Sequence, residues 1–271
     1  MKFSAALVSY VLFTSSVLAR PRGSTLEERH ARRALSRKSR LPAFEKVEAI
    51  EAQGNETHPD YSTNWSGAVL TSPPSGQTFN GVSASFVVPT PRVPSGSSTR
   101  GSYAASAWVG IDGDTYTEAI LQTGIDFTID NGEVSYDAWY EWYPDYAYDF
   151  NLEVSSGDTV TVSVSSTSPT AGTAVITNES TGQRVSKALT APESSASLGG
   201  QNAEWIVEDF EEGGSLVSLV NFGSVTFTGA TASTASTTEN ASGADIIDIR
   251  TGNTVYTSVT DSGNSVTVTY V

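Results

Sequence analysis

The 271-residue chain is acidic and has no cysteine: 15 Lys and Arg stand against 30 Asp and Glu, for a formal net charge of −15. No disulfide, thiol nucleophile or thiolate metal site can therefore form. The acidity argues against a nucleic acid as partner, because binding a phosphate backbone requires a basic surface. Hydrophobic residues make up 38% of the chain, which is enough to bury a core.

Residues 1–19 have the pattern of a secretory signal peptide. Lys2 gives the positive start, Phe3 to Val17 the apolar stretch, and Val17 to Ala19 the small-residue cleavage site. A membrane anchor is the alternative, but the stretch is shorter than the roughly 20 apolar residues that span a bilayer. We therefore expect a secreted, extracellular protein that has no membrane attachment once the signal is removed.

Residues 20–60 differ from the rest of the chain in charge. The first 60 residues hold ten of the 15 basic residues and both histidines, which leaves five basic and 23 acidic residues in 61–271. Thr25 to Ala34 and Phe44 to Ala52 are rich in helix formers. The segment is typical of a partly helical propeptide that opposite charge holds on its own domain as an intramolecular inhibitor. A disordered basic tail is the alternative.

Residues 61–271 show strand patterns and almost no helical pattern. Valine alternates with Ser or Thr from Val160 to Val164, and a similar alternation runs from Val266 to Tyr270. Thr190 to Gln201 and Ala230 to Gly243 are rich in small polar residues, which predicts exposed loops. A region of this length and pattern predicts one all-β domain, an antiparallel sandwich or barrel.

Four of the predicted strands place carboxylate, amide or tryptophan side chains together on one face. These sets are Trp108 with Asp112, Gln122 with Asp126, Asp137 with Trp139 and Glu141, and Glu204 with Glu208. Carboxylates among aromatic rings are typical of a groove for a polymer, either a peptide or a polysaccharide. Because this region has no His or Cys, a Ser-His-Asp triad, a Cys-His pair and a His-ligated zinc site are excluded there.

Two short motifs suggest other sites and are weak. Asp261-Ser262-Gly263 matches the loop of pepsin-like aspartic peptidases, but those enzymes need two such loops and the chain has one. It lies between two alternating segments, which predicts a hairpin turn. Asp112-Gly113-Asp114 faintly resembles a calcium loop, without the spacing of an EF-hand. We expect neither a metal nor a cofactor.

Three Asn-X-Ser/Thr sequons lie in residues 61–271. Asn178 and Asn240 fall in predicted loops, which makes them candidate glycan sites. Asn64 adjoins Trp65 in a predicted strand, so we do not expect it to be modified.

Long blocks spread over residues 61–271 resemble the glutamic peptidases (eqolisins), secreted acid peptidases known chiefly from fungi. The blocks are Asn64–Ala68, Ala107–Gly113, Ile120–Gly124, Tyr136–Pro144, Asn202–Phe210, Phe222–Val225 and the C-terminal Val266–Val271. Several long blocks in one order make the resemblance specific. Some family members carry cysteines that this chain lacks, and that difference affects no proposed catalytic position.

The resemblance implies a fold and a site. The fold is an antiparallel β-sandwich of two large sheets, similar to concanavalin-type lectins. The activity is that of a monomeric endopeptidase that cuts protein and peptide substrates at acidic pH and resists pepstatin. The implied catalytic residues are Gln122 and Glu204, and the implied substrate-binding residues are Trp65, Trp108, Asp112 and Glu141.

The implied chemistry is consistent with the residue types. Glu204, as a carboxylate, would take a proton from the attacking water and pass it to the leaving amine. The Gln122 amide would hold the water and then stabilise the oxyanion, which is worth about 3–4 kcal/mol for one well-placed donor.

Two other readings of residues 61–271 remain open from the sequence. A glycoside hydrolase or lectin-like module would stack sugars on the aromatic groove and would need two carboxylates about 5–9.5 Å apart, such as Glu204 and Glu141. That reading gives Gln122 no role and leaves the basic leader unexplained. A non-catalytic surface-binding protein on the same sandwich is the second alternative.

Overall fold

The computed structural model describes residues 38–43 and 59–271, and within these residues the protein is all-β. The predicted signal peptide lies outside the described residues, and so do Thr25 to Ala34 and Phe44 to Ala52, the two stretches rich in helix-forming residue types. No helix in the described part of the chain is long and apolar enough to cross a membrane.

Twenty strands make up the described residues. In chain order they are β1 (Lys38–Ser39), β2 (Asp60–Ser62), β3 (Trp65–Leu70), β4 (Gly81–Val87), β5 (Ser102–Ile111), β6 (Ile120–Asp130), β7 (Glu133–Tyr143), β8 (Tyr148–Asp149), β9 (Thr159–Ser168), β10 (Ala171–Asn178), β11 (Gln183–Thr190), β12 (Ala203–Glu208), β13 (Glu211–Glu212), β14 (Ser215–Leu216), β15 (Ser224–Ser233), β16 (Thr238–Asn240), β17 (Asp245–Thr251), β18 (Thr254–Val255), β19 (Thr257–Asp261) and β20 (Ser265–Tyr270).

Two large open sheets form a sandwich, which confirms the predicted fold class. The nine-stranded sheet has the order β18-β17-β3-β12-β5-β6-β7-β8, with β2 paired to β17. The eight-stranded sheet has the order β11-β10-β9-β4-β15-β20-β19, with β16 paired to β15. Pairing is antiparallel except between β2 and β17. A small third sheet, β1-β13-β14, joins the N-terminal segment to the domain.

The main core lies between the two large sheets because alternate residues of each strand turn inward. Val160, Val162 and Val164 of β9 are buried in it, as the alternation predicts. Phe86 and Phe227 meet edge to face across neighbouring strands, with ring centroids 5.4 Å apart. Each fully buried side chain of this size contributes roughly 1.5–3 kcal/mol of transfer free energy.

The structure corrects one loop prediction and confirms one turn. Half of the stretch from Ala230 to Gly243 is strand, in β15 and β16, and Ala230 and Ala232 are fully buried in β15. The small side chains of this segment pack closely in the sheet, so a composition rich in small residues did not indicate an exposed loop. Asp261-Ser262-Gly263 forms the turn between β19 and β20, and the Asp261 carboxylate accepts a hydrogen bond from the Gly263 N–H at 2.6 Å.

The predicted glycan site at Asn178 is wrong. This side chain is fully buried at the end of β10, and its Nδ2 donates to Asp158 at 2.8 Å and to the Glu153 carbonyl at 3.3 Å. A glycan replaces one of the two Nδ2 hydrogens, so this nitrogen could no longer donate to both partners, and the side chain is buried where a glycan would have to leave it. Asn240 is exposed and stays a predicted site.

Candidate active site

The outward face of the nine-stranded sheet gathers the polar residues that the sequence grouped by strand. Alternation turns Trp205 and Val207 of β12 into the main core and leaves Glu204 and Glu208 on the opposite face. Strand register then aligns the residues of four strands on this face in three rows, two of them polar and the middle one apolar. The rows are Glu204–Gly110–Gln122–Glu141, Ile206–Trp108–Gly124–Trp139 and Glu208–Ser106–Asp126–Asp137. We call this surface the site face.

Gly110 lets the predicted catalytic pair approach each other. It lies between Glu204 and Gln122 in the first row and has no side chain to separate them. A Cβ on Gly110 would lie 3.2 Å from Glu204 Oε2 and 3.4 Å from Gln122 Cβ. It would also lie 2.8 Å from the Trp108 ring, closer than real Cβ contacts. The structure therefore places Glu204 and Gln122 on either side of Gly110, next to each other on the site face.

Glu208 also lies on the site face, although it is not among the site residues predicted from the sequence. It accepts a hydrogen bond from Trp108 Nε1 at 2.9 Å. Trp108 in turn meets Trp65 edge to face, with ring centroids 4.9 Å apart. Glu208 could have been found from the sequence, because it is four residues from Glu204 and that spacing places both side chains on one strand face.

Residues 38–43, here the cleft segment, lie across the site face. Gln122 Nε2 donates to the Arg40 carbonyl at 3.2 Å, and Trp65 Nε1 donates to the Leu41 carbonyl at 3.0 Å. Both oxygens of the Glu141 carboxyl accept from the Arg40 N–H at 3.2 Å. Three of the predicted site residues therefore hold the backbone of one peptide.

Further contacts fix the two ends of the cleft segment. Lys38–Ser39 pairs with Glu211–Glu212 in the small sheet. Beyond Leu41, Asn64 Nδ2 donates to the Pro42 carbonyl at 3.2 Å, and the Ala43 N–H donates to the Gly113 carbonyl at 3.1 Å. This use of Asn64 Nδ2, in a fully buried side chain, agrees with the expectation that Asn64 carries no glycan.

The side chain of Arg40 is fully buried against the site face. Its guanidinium forms an ion pair with Asp126 and stacks over two rings, 4.0 Å from the Trp139 centroid and 4.5 Å from the Phe210 centroid. Lys38 adds a second cation 3.2 Å from Asp126. A buried guanidinium requires this pairing, because an unpaired buried charge costs several kcal/mol.

Burial raises the pKa values of two carboxyls on the site face, Glu141 and Glu208. Desolvation raises the pKa of Glu141 to about 8, although Arg40 and Ser39 act in the opposite direction. Desolvation also raises the pKa of Glu208 well above its usual value, and Arg40, Trp108 and the Leu41 N–H partly offset it. Oε1 of Glu208 and Oε1 of Gln122 are buried and accept no hydrogen bond from the described residues. Two buried acceptors are thus left beside the Arg40–Leu41 peptide.

Asp112 lies apart from the cleft segment. It follows β5 with a φ of 68°, which turns the chain out of the strand and ends the alternation that grouped it with Trp108. Its carboxylate accepts four backbone hydrogen bonds, at 2.7 to 3.3 Å, from residues 199–202. Asp112 was predicted to bind substrate, but the described residues show no hydrogen bond between its carboxylate and the cleft segment. Its contacts position the loop that precedes β12.

Residues 63–270 match the model of the peptidase A4 family. The chain belongs to this family. It is 44% identical to aspergillopepsin-2 of Aspergillus niger and 40% identical to scytalidopepsin B of Scytalidium lignicola, and both alignments cover the whole of both chains. The suspected relationship to the eqolisins is confirmed, and with it the prediction of a glutamic-type endopeptidase that hydrolyses peptide bonds.

Solved structures of the family share the fold. Scytalido-glutamic peptidase with a peptide-based transition-state analogue superposes with a TM-score of 0.68 at 41% identity, covering 77% of this chain and 98% of that chain. Aspergilloglutamic peptidase from Aspergillus niger gives a TM-score of 0.60 at 54% identity, covering 62% of this chain and 99% of that chain. The sugar-binding alternatives are therefore set aside.

Proposed function

We propose that the protein is a secreted, monomeric endopeptidase of acidic media, and that Gln122 and a glutamate of the site face activate water for peptide hydrolysis. The observation that carries the proposal is the hydrogen bond from Gln122 Nε2 to the Arg40 carbonyl. A donor at a peptide carbonyl can stabilise the oxyanion that forms when water attacks.

Two glutamates compete for the role of proton carrier. The family resemblance and the space above Gly110 favour Glu204, the predicted base. The contacts of the bound peptide favour Glu208, because the Leu41 N–H acts on its carboxyl and Trp108 orients it. A proton carrier must reach both the attacking water and the leaving nitrogen. We therefore assign the proton transfer to Glu208 and give Glu204 a place beside Gln122.

The reaction that follows uses both protonation states of Glu208. The carboxylate form, which burial disfavours and the hydrogen bonds from Trp108 and the Leu41 N–H favour, removes a proton from the water that attacks the carbonyl carbon, while the Gln122 amide stabilises the oxyanion. As a carboxylic acid it returns the proton to the leaving nitrogen, and the C–N bond breaks. Trp65 and Glu141 hold the backbone on either side of the bond, which fixes the reacting carbonyl.

We also propose that the propeptide inhibits the enzyme through the cleft segment. Arg40 and Lys38 pair with Asp126 while that carboxyl is ionised, and the segment covers Gln122. In acid the domain as a whole loses negative charge, and its attraction for the basic leader weakens. The same charge logic explains a basic leader on an acidic domain.

The test compares Gln122→Ala, Glu204→Gln and Glu208→Gln with wild type in the digestion of denatured haemoglobin at about pH 4. Glu133→Gln makes the same change at an exposed position of β7 and serves as control. We expect Gln122→Ala and Glu208→Gln to abolish turnover, the control to retain it, and pepstatin to have no effect. If Glu208→Gln cuts normally and Glu204→Gln does not, Glu204 is the proton carrier. If all variants cut alike, the assignment is overturned.

A further inference from the structure

We propose that the Arg40–Leu41 peptide bond is the first bond that the precursor cuts, within its own molecule, when the medium becomes acidic. This proposal rests on the proposed function, because it uses the same groups on a bond of the same chain. It makes the cleft segment a slow substrate as well as an inhibitor.

The carbonyl of this bond lies where the reaction needs it. Among the peptide carbonyls of the cleft segment, the one of Arg40 accepts from Gln122, the amide assigned to the oxyanion. The neighbouring carbonyls of Leu41 and Pro42 accept instead from Trp65 and Asn64, which the proposed mechanism uses only for positioning. One bond is therefore distinguished from the next two along the chain.

The nitrogen of the same bond faces the proton carrier. The Leu41 N–H acts on the Glu208 carboxyl, whose Oε1 accepts no hydrogen bond within the described part of the chain. When the bond breaks, this nitrogen must receive a proton. Both atoms of the Arg40–Leu41 bond are thus next to a group with the required chemistry.

Anchors on both sides keep the bond in place. On the N-terminal side, Glu141 binds the Arg40 N–H and β1 pairs with β13. The Arg40 side chain is buried between Asp126, Trp139 and Phe210. On the C-terminal side, Ala43 pairs with Gly113. A peptide held on both sides of one bond has the reacting carbonyl positioned as a substrate has it.

The step balances as an ordinary hydrolysis. Water adds its oxygen to the Arg40 carbonyl carbon and gives one proton to Glu208. The C–N bond breaks, the nitrogen of Leu41 takes that proton, and a new carboxyl forms on Arg40. The products are a fragment that ends at Arg40 and a chain that begins at Leu41.

The experiment follows the purified precursor, residues 20–271, after a shift from pH 7 to pH 4 in the presence of a serine-peptidase inhibitor. Intact mass and labelled N-termini are recorded over time at precursor concentrations that differ tenfold. We expect the Leu41 N-terminus to be the first to appear, with the same half-time at both concentrations. A different first terminus overturns the proposal.

A half-time that shortens in proportion to concentration overturns the intramolecular part. The same part is tested by mixing wild type with Gln122→Ala precursor. We expect the early Leu41 terminus only on the wild-type chain, and an equally fast cut in the variant contradicts the proposal.

Variants at Arg40 test the pocket. We expect Arg40→Gln to slow the appearance of the Leu41 terminus at least tenfold and Arg40→Lys to slow it less. Arg100→Gln, the same change at an exposed residue, should have no effect. Equal rates for Arg40→Gln and wild type would show that burial of the Arg40 side chain does not contribute to cleavage of this bond. Secretion yield and circular dichroism at pH 7 show whether each variant is folded.

Digestion of denatured haemoglobin separates this proposal from the function on which it rests. If haemoglobin is cut while the Arg40–Leu41 bond survives, self-cleavage at this bond is wrong and the endopeptidase function stands. If neither is cut, including after added pepsin has removed the leader and has then been blocked with pepstatin, the proposed function fails.

Discussion

The outward faces of the two large sheets obey the same alternation and have opposite properties. On β9 of the eight-stranded sheet, Thr161 and Ser163 are partly exposed, and Thr161 pairs with the Ser85 hydroxyl at 2.8 Å. On β12 of the nine-stranded sheet, Glu204 and Glu208 are fully buried. The difference is the cover: tryptophans and the cleft segment exclude water from the site face alone. Alternation tells which residues share a face, and the cover decides what their chemistry becomes.

The largest effect should come from removing a polar group of the site face. We expect Glu208→Gln to lower kcat by a factor of about 10²–10⁴, as for loss of a general acid–base group. Thr161→Val on the opposite sheet should leave kcat unchanged, because its hydroxyl contacts solvent-side groups. Steady-state kinetics on a peptide at pH 4 measures both, and similar losses in the two variants would contradict the comparison.

A methyl group on Gly110 should have the next largest effect. Its Cβ would lie 2.8 Å from the Trp108 ring and 3.2 Å from Glu204 Oε2, so the groups around Gln122 must move. We expect Gly110→Ala to lower kcat roughly 10- to 100-fold, in line with misplacement of reacting groups by a fraction of an ångström to 1 Å. Gly81→Ala on β4 is the control, because its Cβ would make only ordinary contacts, 3.5 Å or longer.

The stability of the protein should fall as the pH rises, because several buried carboxyls are neutral in the folded state. The pKa values of Glu141 and Asp209 are raised to about 8 and that of Asp248 to about 7, chiefly by desolvation. The folded state therefore holds protons that the unfolded chain has released. The free energy of unfolding is highest below about pH 4 and falls as the pH rises toward 8, by about 1.4 kcal/mol per pH unit for each such group.

The cleft segment should strengthen this dependence. Burial is the largest cause of the raised pKa values of Glu141 and Glu208, and the segment is part of the cover, so the enzyme without its leader should lose less stability between pH 5 and 8 than the precursor, although the loss of Arg40 acts in the opposite direction. Thermal unfolding of both forms across this range measures the difference. Asp248→Asn, away from the site face, should flatten both curves by the same amount. A melting temperature that rises with pH would contradict the assignment.

The smallest expected effect is that of salt on inhibition by added leader peptide. Long-range attraction between the basic leader and the acidic domain is screened at a Debye length of about 8–10 Å, whereas the buried Arg40–Asp126 pair is screened much less. We expect the inhibition constant near pH 6.5 to rise several-fold between low and 0.5 M salt. An Arg40→Gln peptide should be weaker at every salt concentration. An inhibition constant that does not change with salt would show that long-range charge attraction does not hold the leader on the domain.

The strands and the composition of the site face could be predicted because they depend on local order. Period-2 alternation fixed which side chains share a face, so Gln122 with Asp126 and Glu204 with Glu208 were grouped correctly. Composition failed where packing decides, as at Ala230 and Ala232, which are fully buried in β15 although their segment is rich in small polar residues. Asn178 was misjudged for the same reason.

By itself, the sequence determined the two-sheet class, the family and the set of polar residues that face one way, because alternation and motif order are properties of the chain. Only the tertiary structure decided how those residues meet. Register placed Gly110 between Glu204 and Gln122, a positive φ took Asp112 out of its face, and pairing of β1 with β13 laid Arg40 over Asp126. These are contacts between residues far apart in sequence, whose geometry depends on strand order and backbone turns that no local pattern encodes.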